Sequence, residues 1–136
     1  MRTLILSFLK KDSTRHQQIL KKLEAAAVTK GHIVEVKDAR LDRENLRLTM
    51  YEYIAIVVPA NPFSGKKVPT SLPEILSTCG NVSGKKGCAL VVKTGFFSQK
   101  FCRVVMYKME KEGMMVDYSE VINNVDHAAY VGKNIG

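Results

Sequence analysis

Two stretches place lysines beside hydroxyls or aromatic rings at spacings suited to anion chemistry. Lys10-Lys11-Asp12-Ser13-Thr14 separates an apolar run from an amphipathic segment. A helix start presents unpaired N–H groups and the positive end of its dipole, so Ser13 and Thr14, with Lys10 and Lys11 alongside, suit a phosphate. The same hydroxyls also suit helix capping, which is compatible with phosphate binding. Further along, Asn61-Pro62-Phe63-Ser64-Gly65-Lys66-Lys67 and Lys93-Thr94-Gly95-Phe96-Phe97 set phenylalanines in polar loops next to lysine. A planar ring stacked between Phe63 and Phe96 would give these aromatics a reason to be there; the alternative is that they fold back onto the local core. Gly95 allows close backbone approach, or simply makes a turn.

Other chemistries lack their residues. The three cysteines, Cys79, Cys88 and Cys102, form no C-x-x-C pair, which disfavours a disulfide framework and a zinc or iron–sulfur site. They read as small packing residues, and no metal site is expected. There is no G-x-G-x-x-G and no Walker lysine loop. His16, His32 and His127 are scattered along the chain and read as surface or capping residues, so no side chain is assigned a catalytic role.

The elements that must position these residues follow from periodicity. Residues 3–8 form a short apolar run that fits a buried strand. Thr14 with Gln17 makes a capping-box pair, and Ile19, Leu20, Leu23, Ala27 and Val28 share one helical face until Gly31. A second strand is expected at residues 32–36, and the charged stretch 38–47 supports one or two helical turns. Residues 53–59 read as a central strand buried on both faces, followed by a polar loop and a short helix with Leu72, Ile75 and Leu76 inward. Residues 88–92 are a fourth strand, Ser98 caps a helix with Phe101, Cys102, Val105, Met106 and Met109 inward, and 114–121 is a fifth strand. A final short helix is expected over 126–135, weakened by Gly132.

Strand alternating with helix in this way specifies an α/β fold: a doubly wound, five-stranded parallel sheet in three α/β/α layers. Ligands of such sheets lie outside the carboxyl ends of the strands where strand order reverses. The loops leaving those ends bring Lys10, Lys11, Lys66, Lys67 and Lys93 to one edge, whereas Lys85 and Lys86 belong to the opposite edge. A phosphoacceptor receiver would need acidic residues at the ends of the first and third strands, where this chain has Ser7-Phe8 and Pro59-Ala60. A phosphatase loop would need a cysteine after the first strand, and there is none.

The chain has 136 residues, 46% apolar and 25% charged, with a net charge of +8, which suits one domain spanning 1–136. No apolar stretch approaches the roughly 20 residues of a membrane span. The run after the first arginine stops at Lys10-Lys11-Asp12 without a small-residue cleavage site, so a cytoplasmic location is expected. The basic residues fall in doublets round several loops with no recognition helix or RNA-binding aromatic motif, which disfavours nucleic acid as a partner.

In this order and spacing the pieces resemble the flavodoxin-like family across nearly the whole chain. The strand at residues 3–8 runs into a hydroxyl-bearing loop, and Tyr51-Glu52-Tyr53-Ile54-Ala55-Ile56-Val57-Val58-Pro59 resembles the family's third strand. Pro69-Thr70-Ser71-Leu72 resembles its P-x-x-L, Gly84-Lys85-Lys86-Gly87 its G-K-K, and Tyr130-Val131-Gly132-Lys133 the start of its last helix. The resemblance implies strand order 2-1-3-4-5 and FMN held by its phosphate at Ser13 and Thr14. Asn61, Phe63, Thr94, Gly95 and Phe96 would then contact the flavin ring, and the activity would be electron transfer or small flavin redox chemistry, with a redox protein as possible partner. The family's phosphate loop reads S/T-x-T-G-x-T; here Leu9-Lys10-Lys11-Asp12-Ser13-Thr14 has no glycine and matches only in the last hydroxyl. The alternative is therefore a flavodoxin-like domain that has lost FMN and binds another anion or a protein. The short final helix leads to one more expectation, a homodimer through apolar sheet surface left uncovered beside the first helix.

Overall fold

The computed structural model describes residues 1–60 and 69–136. Aliphatic and β-branched residues fill β1 (Arg2–Ser7), β3 (Tyr53–Pro59) and β4 (Lys86–Val92), so these strands must be covered on both faces. They form the centre of a parallel five-stranded sheet of order β2-β1-β3-β4-β5. At its edges lie β2 (Ile33–Asp38) and β5 (Met115–Ile122), whose side chains are mostly half-buried. This is the doubly wound sheet expected from the strand–helix alternation, in the order that the family resemblance implies.

Alternation along the strands sorts the apolar residues into two cores. Ile5, Ala55, Val57, Leu90 and Val92 face α1 (Thr14–Thr29) and α4 (Val125–Val131), meeting Ile19, Leu23 and Val131. Leu4, Leu6, Ile54, Ile56, Ala89 and Val91 face α2 (Ser71–Thr78) and α3 (Ser98–Lys111), meeting Leu72, Ile75, Phe101 and Val105. Each fully buried Leu or Ile contributes about 1.5–3 kcal/mol. Together these two layers hold the strand ends, and the loops that leave them, in fixed register.

Several local expectations are adjusted by packing. β2 runs to Asp38, β4 starts at Lys86, and β5 is shifted by one residue relative to 114–121. Between β2 and β3 the charged stretch makes only one 3-10 turn, Arg43–Asn45, consistent with its weak helical character, and a second, Leu48–Met50, follows it. The β4–β5 register shifts after the Gly87–Val116 pair, so that Cys88 lies opposite Tyr118 and Asp117 is the extra residue. A bulge of this kind re-aims a side chain. Here it brings Asp117 within 2.6 Å of the Tyr53 hydroxyl, which donates to Oδ1.

The last helix is shorter than expected. It ends at Val131 and continues as a 3-10 turn, Gly132–Asn134. A Cβ on Gly132 would lie 2.7 Å from Ala26 Cβ and 2.8 Å from the Leu23 carbonyl oxygen, so the glycine lets α4 and α1 pack in contact. Val131 and Ile135 are fully buried over the sheet, as are Ala55, Val57, Leu90 and Val92 beneath them. The open apolar surface that motivated a homodimer is therefore closed by this chain's own C-terminal residues. No helix among the described residues is long and apolar enough to cross a membrane.

Candidate functional site at the carboxyl edge of the sheet

A parallel sheet sends all its strand ends to one edge, where the following helices begin with their N–H groups exposed. The loop after β1 is held by short-range hydrogen bonds. The Leu9 N–H donates to Ser7 Oγ at 3.1 Å, and the Lys10 carbonyl accepts from the Ser13 N–H at 3.3 Å and from Gln17 Nε2 at 3.0 Å. Ser13 is the N-cap of α1, its Oγ accepting from the His16 N–H at 3.3 Å. The cap is thus one residue earlier than the Thr14–Gln17 pairing anticipated, because Gln17 reaches back to the loop carbonyl instead.

Among the described residues no non-glycine residue has a positive φ, so the loop from Leu9 to Thr14 is built without the left-handed residue that a glycine would supply. Among the described residues nothing accepts from the amide N–H groups of Lys11, Asp12, Thr14 or Arg15. Lys10, Thr14 and Arg15 are exposed beside them. The first turn of α1 contains no acidic residue, and the nearest carboxylate in sequence is Asp12, just before the N-cap.

His16 closes the loop from below. Its Nδ1 accepts the Lys10 N–H at 3.1 Å, which requires the neutral ring with the proton on Nε2. Burial first, then the charges of Arg15 and Lys10, lowers its pKa from 6.5, against a smaller opposing effect of Asp12. The same device recurs in α4, where Asn124 caps the His127 N–H at 2.8 Å and His127 Nδ1 accepts the Asn123 N–H at 3.1 Å. The two histidines thus act as caps from the third position of their helices' first turns, a role visible in the parallel spacings Ser13-x-x-His16 and Asn124-x-x-His127.

Lys11 turns to the β2 side. It lines a hollow of about 90 Å³ with Ser7, Gln17, Asp38 and Asp42. Those carboxylates are occupied by backbone: Asp38 Oδ1 accepts from Arg40 and Leu41, and Asp42 Oδ2 from the Asp38 N–H at 2.7 Å.

The loop after β4 supplies the second half. Gly95 has φ +68°, a conformation that favours glycine and turns the chain outward. Ser98 is the first residue of α3, not its cap; the N-cap is Phe97, which makes no side-chain bond. The Ser98 hydroxyl instead accepts the Thr94 N–H at 3.1 Å, closing the loop on itself. Phe96, held at the tip, is 98% exposed. Lys93, Gly95, Phe96, Ser98, Gln99, Val121 and Asn123 line a groove of about 260 Å³. Arg15, which sequence reasoning did not single out, ties the start of α1 to the β5–α4 loop at the wall of this groove by donating to the Asn123 carbonyl at 3.2 Å.

Asn61 and Phe63, with Lys66 and Lys67, lie outside the described residues. Lys85 and Lys86 sit at the opposite edge, where the Lys85 ammonium donates to the Tyr51 carbonyl at 2.6 Å. The cysteines are free thiols; burial raises the pKa of Cys88 to about 12 and that of Cys102 to about 11, so neither is poised for nucleophilic or ligand chemistry.

No protein-family model and no curated protein matches the sequence. Solved structures do match in shape. A flavodoxin from the domain Archaea superposes with a TM-score of 0.72 at 16% identity, covering 99% of this chain and 96% of that one. The two-electron reduced flavodoxin of Megasphaera elsdenii gives 0.74 at 16% identity, with 96% of each chain covered. Oxidised Flavodoxin 2 from Bacillus cereus gives 0.71 at 14%, covering 97% and 95%. The fold is flavodoxin-like across essentially the full chain.

Proposed function

We propose that this chain, starting from its flavodoxin-like fold, binds FMN at the carboxyl edge and serves electron transfer or small flavin redox chemistry. The observation that carries the reading is the N-terminus of α1. Four amides without acceptors among the described residues, the Ser13 and Thr14 hydroxyls and the Lys10 ammonium surround the end of a helix with no acidic first turn. That donor set fits a phosphate dianion; the exposed Asp12 is the one carboxylate in the loop. The exposed Phe96 ring at the neighbouring loop fits a planar group. Solved neighbours described as oxidised and as two-electron reduced flavodoxins support the redox part of the reading.

In this arrangement Ser13, Thr14 and the loop amides hold the phosphate, and Lys10 with Arg15 offsets its charge. Lys11 lies on the β2 side of the loop and acts on the phosphate at longer range. Phe96 packs on the ring, while Thr94 and Gly95 set the height of that phenylalanine, Thr94 through its bond to Ser98. Asn61 and Phe63 complete the ring site in this reading. FMN, when bound, supplies the hydride or single-electron chemistry, and the protein positions it.

Titration of the purified protein with FMN, followed by flavin fluorescence and set beside riboflavin, tests the proposal. Saturable FMN binding at least tenfold tighter than riboflavin binding is expected, since only FMN carries the phosphate. Equal affinity, or no quenching by either, would overturn it. The glycine-free course of the first loop favours a second reading, an anion-binding or protein-binding domain without flavin. Stabilisation by inorganic phosphate in a protein that takes up no FMN would select it.

A further inference from the structure

We infer that the rim around the β4–α3 loop is a docking surface for an acidic protein that exchanges electrons at this edge; the electron-transfer part rests on the flavin reading above. No Asp or Glu occurs between residues 75 and 109, a stretch that carries Lys93, Lys100, Arg103 and Lys108. Lys93, Lys100 and Arg103 are exposed, and all three lie on the loop or on the first turns of α3 beside Phe96. Lys100 sits in the first turn of α3, a turn without an acidic residue. A cation at the positive end of a helix dipole is unfavourable by itself, so the fold does not account for this placement.

Phe96 points the same way. At 98% exposure it contributes nothing to either core, and it lines the 260 Å³ groove together with Lys93. An apolar tip with a charged rim is the anatomy of a protein interface. A nucleic-acid strand would instead be tracked by successive aromatic platforms along a basic groove, whereas among the described residues of the β4–α3 loop there are only Phe96 and its half-exposed neighbour Phe97. With a net charge of +8 and this local excess, the complementary partner surface is carboxylate-rich.

The test uses an acidic [2Fe–2S] ferredoxin as probe and a basic cytochrome c as control, with binding measured by calorimetry at low and high salt, before and after FMN is added. Expected is ferredoxin binding that weakens at least tenfold between about 20 and about 300 mM salt. The double substitution K100E/R103E should weaken it at least tenfold at low salt, and F96A at both salt levels. K30E, which changes the net charge at the far end of α1, should alter it less than twofold. All four positions are exposed, and circular dichroism of each variant verifies the fold. The inference is overturned by absence of ferredoxin binding, by equal binding of cytochrome c, by equal effects of K30E and K100E/R103E, or by single-stranded RNA binding more tightly through the same residues. Ferredoxin binding without FMN uptake would overturn the flavin reading and leave the surface; FMN uptake without ferredoxin binding would do the reverse.

Discussion

His16 shows how one side chain couples the candidate phosphate loop to pH. Its Nδ1 must remain unprotonated to accept the Lys10 N–H, and burial with the neighbouring cations lowers its pKa from 6.5. The unfolded chain therefore binds a proton that the folded chain resists, so stability is complete above pH 6.5 and falls as pH drops through and below it. Urea midpoints at about pH 7.5 and about pH 5.5 should show this loss, reduced in His16→Asn. Glu35, held below 4.5 chiefly by the Tyr51 hydroxyl and then Arg2, loses its contribution only at lower pH, which separates the two windows. Phe96 allows a complementary test. Phe96→Ala should leave the urea midpoint unchanged, since an exposed ring contributes little to folding. It should weaken FMN binding about two- to tenfold, the loss of one aromatic contact worth about 0.5–1.5 kcal/mol.

At the scale of elements, the contact between α1 and α4 is the most demanding. Gly132→Ala would push a methyl group into Ala26 and Leu23, and the helices must separate to admit it. A destabilisation of about 1–3 kcal/mol is expected by denaturant unfolding, the range for overpacking a tight contact. The β4–α3 junction is the second such place. Ser98→Ala removes the acceptor of the Thr94 N–H, which should cost about 1 kcal/mol and loosen the loop that presents Phe96. FMN affinity should fall with it, although Ser98 is not on the exposed tip.

For the whole molecule, charge is the controlling property. A net +8 on 136 residues repels itself, so the melting temperature should rise when sodium chloride is increased from about 10 to about 200 mM. Phosphate at matched ionic strength should raise it further, because an anion bound to the folded state stabilises by RT ln(1 + [L]/Kd), about 2.7 kcal/mol at one hundred times Kd. Identical melting temperatures in the two salts would count against an anion site at α1.

The strand–helix alternation, the two apolar faces and the edge to which Lys10, Ser13, Thr14 and Phe96 belong were legible in the sequence, because hydrophobic period and chain direction are local properties. The cap of α1 was read one residue off, and the role of Ser98 differently, because Ser, Thr and Gln have several hydrogen-bond partners within a few residues and the competition is settled only in three dimensions. The bulge at Asp117, the Arg15–Asn123 bond and the covering of the sheet by Val131 and Ile135 have no local signal at all. Each joins segments far apart in the chain. Sequence alone thus determined which residues stand at the carboxyl edge of the sheet and with what charge; the tertiary structure decided which of them meet, because contacts between distant segments exist only once the sheet has set the distances between its strand ends.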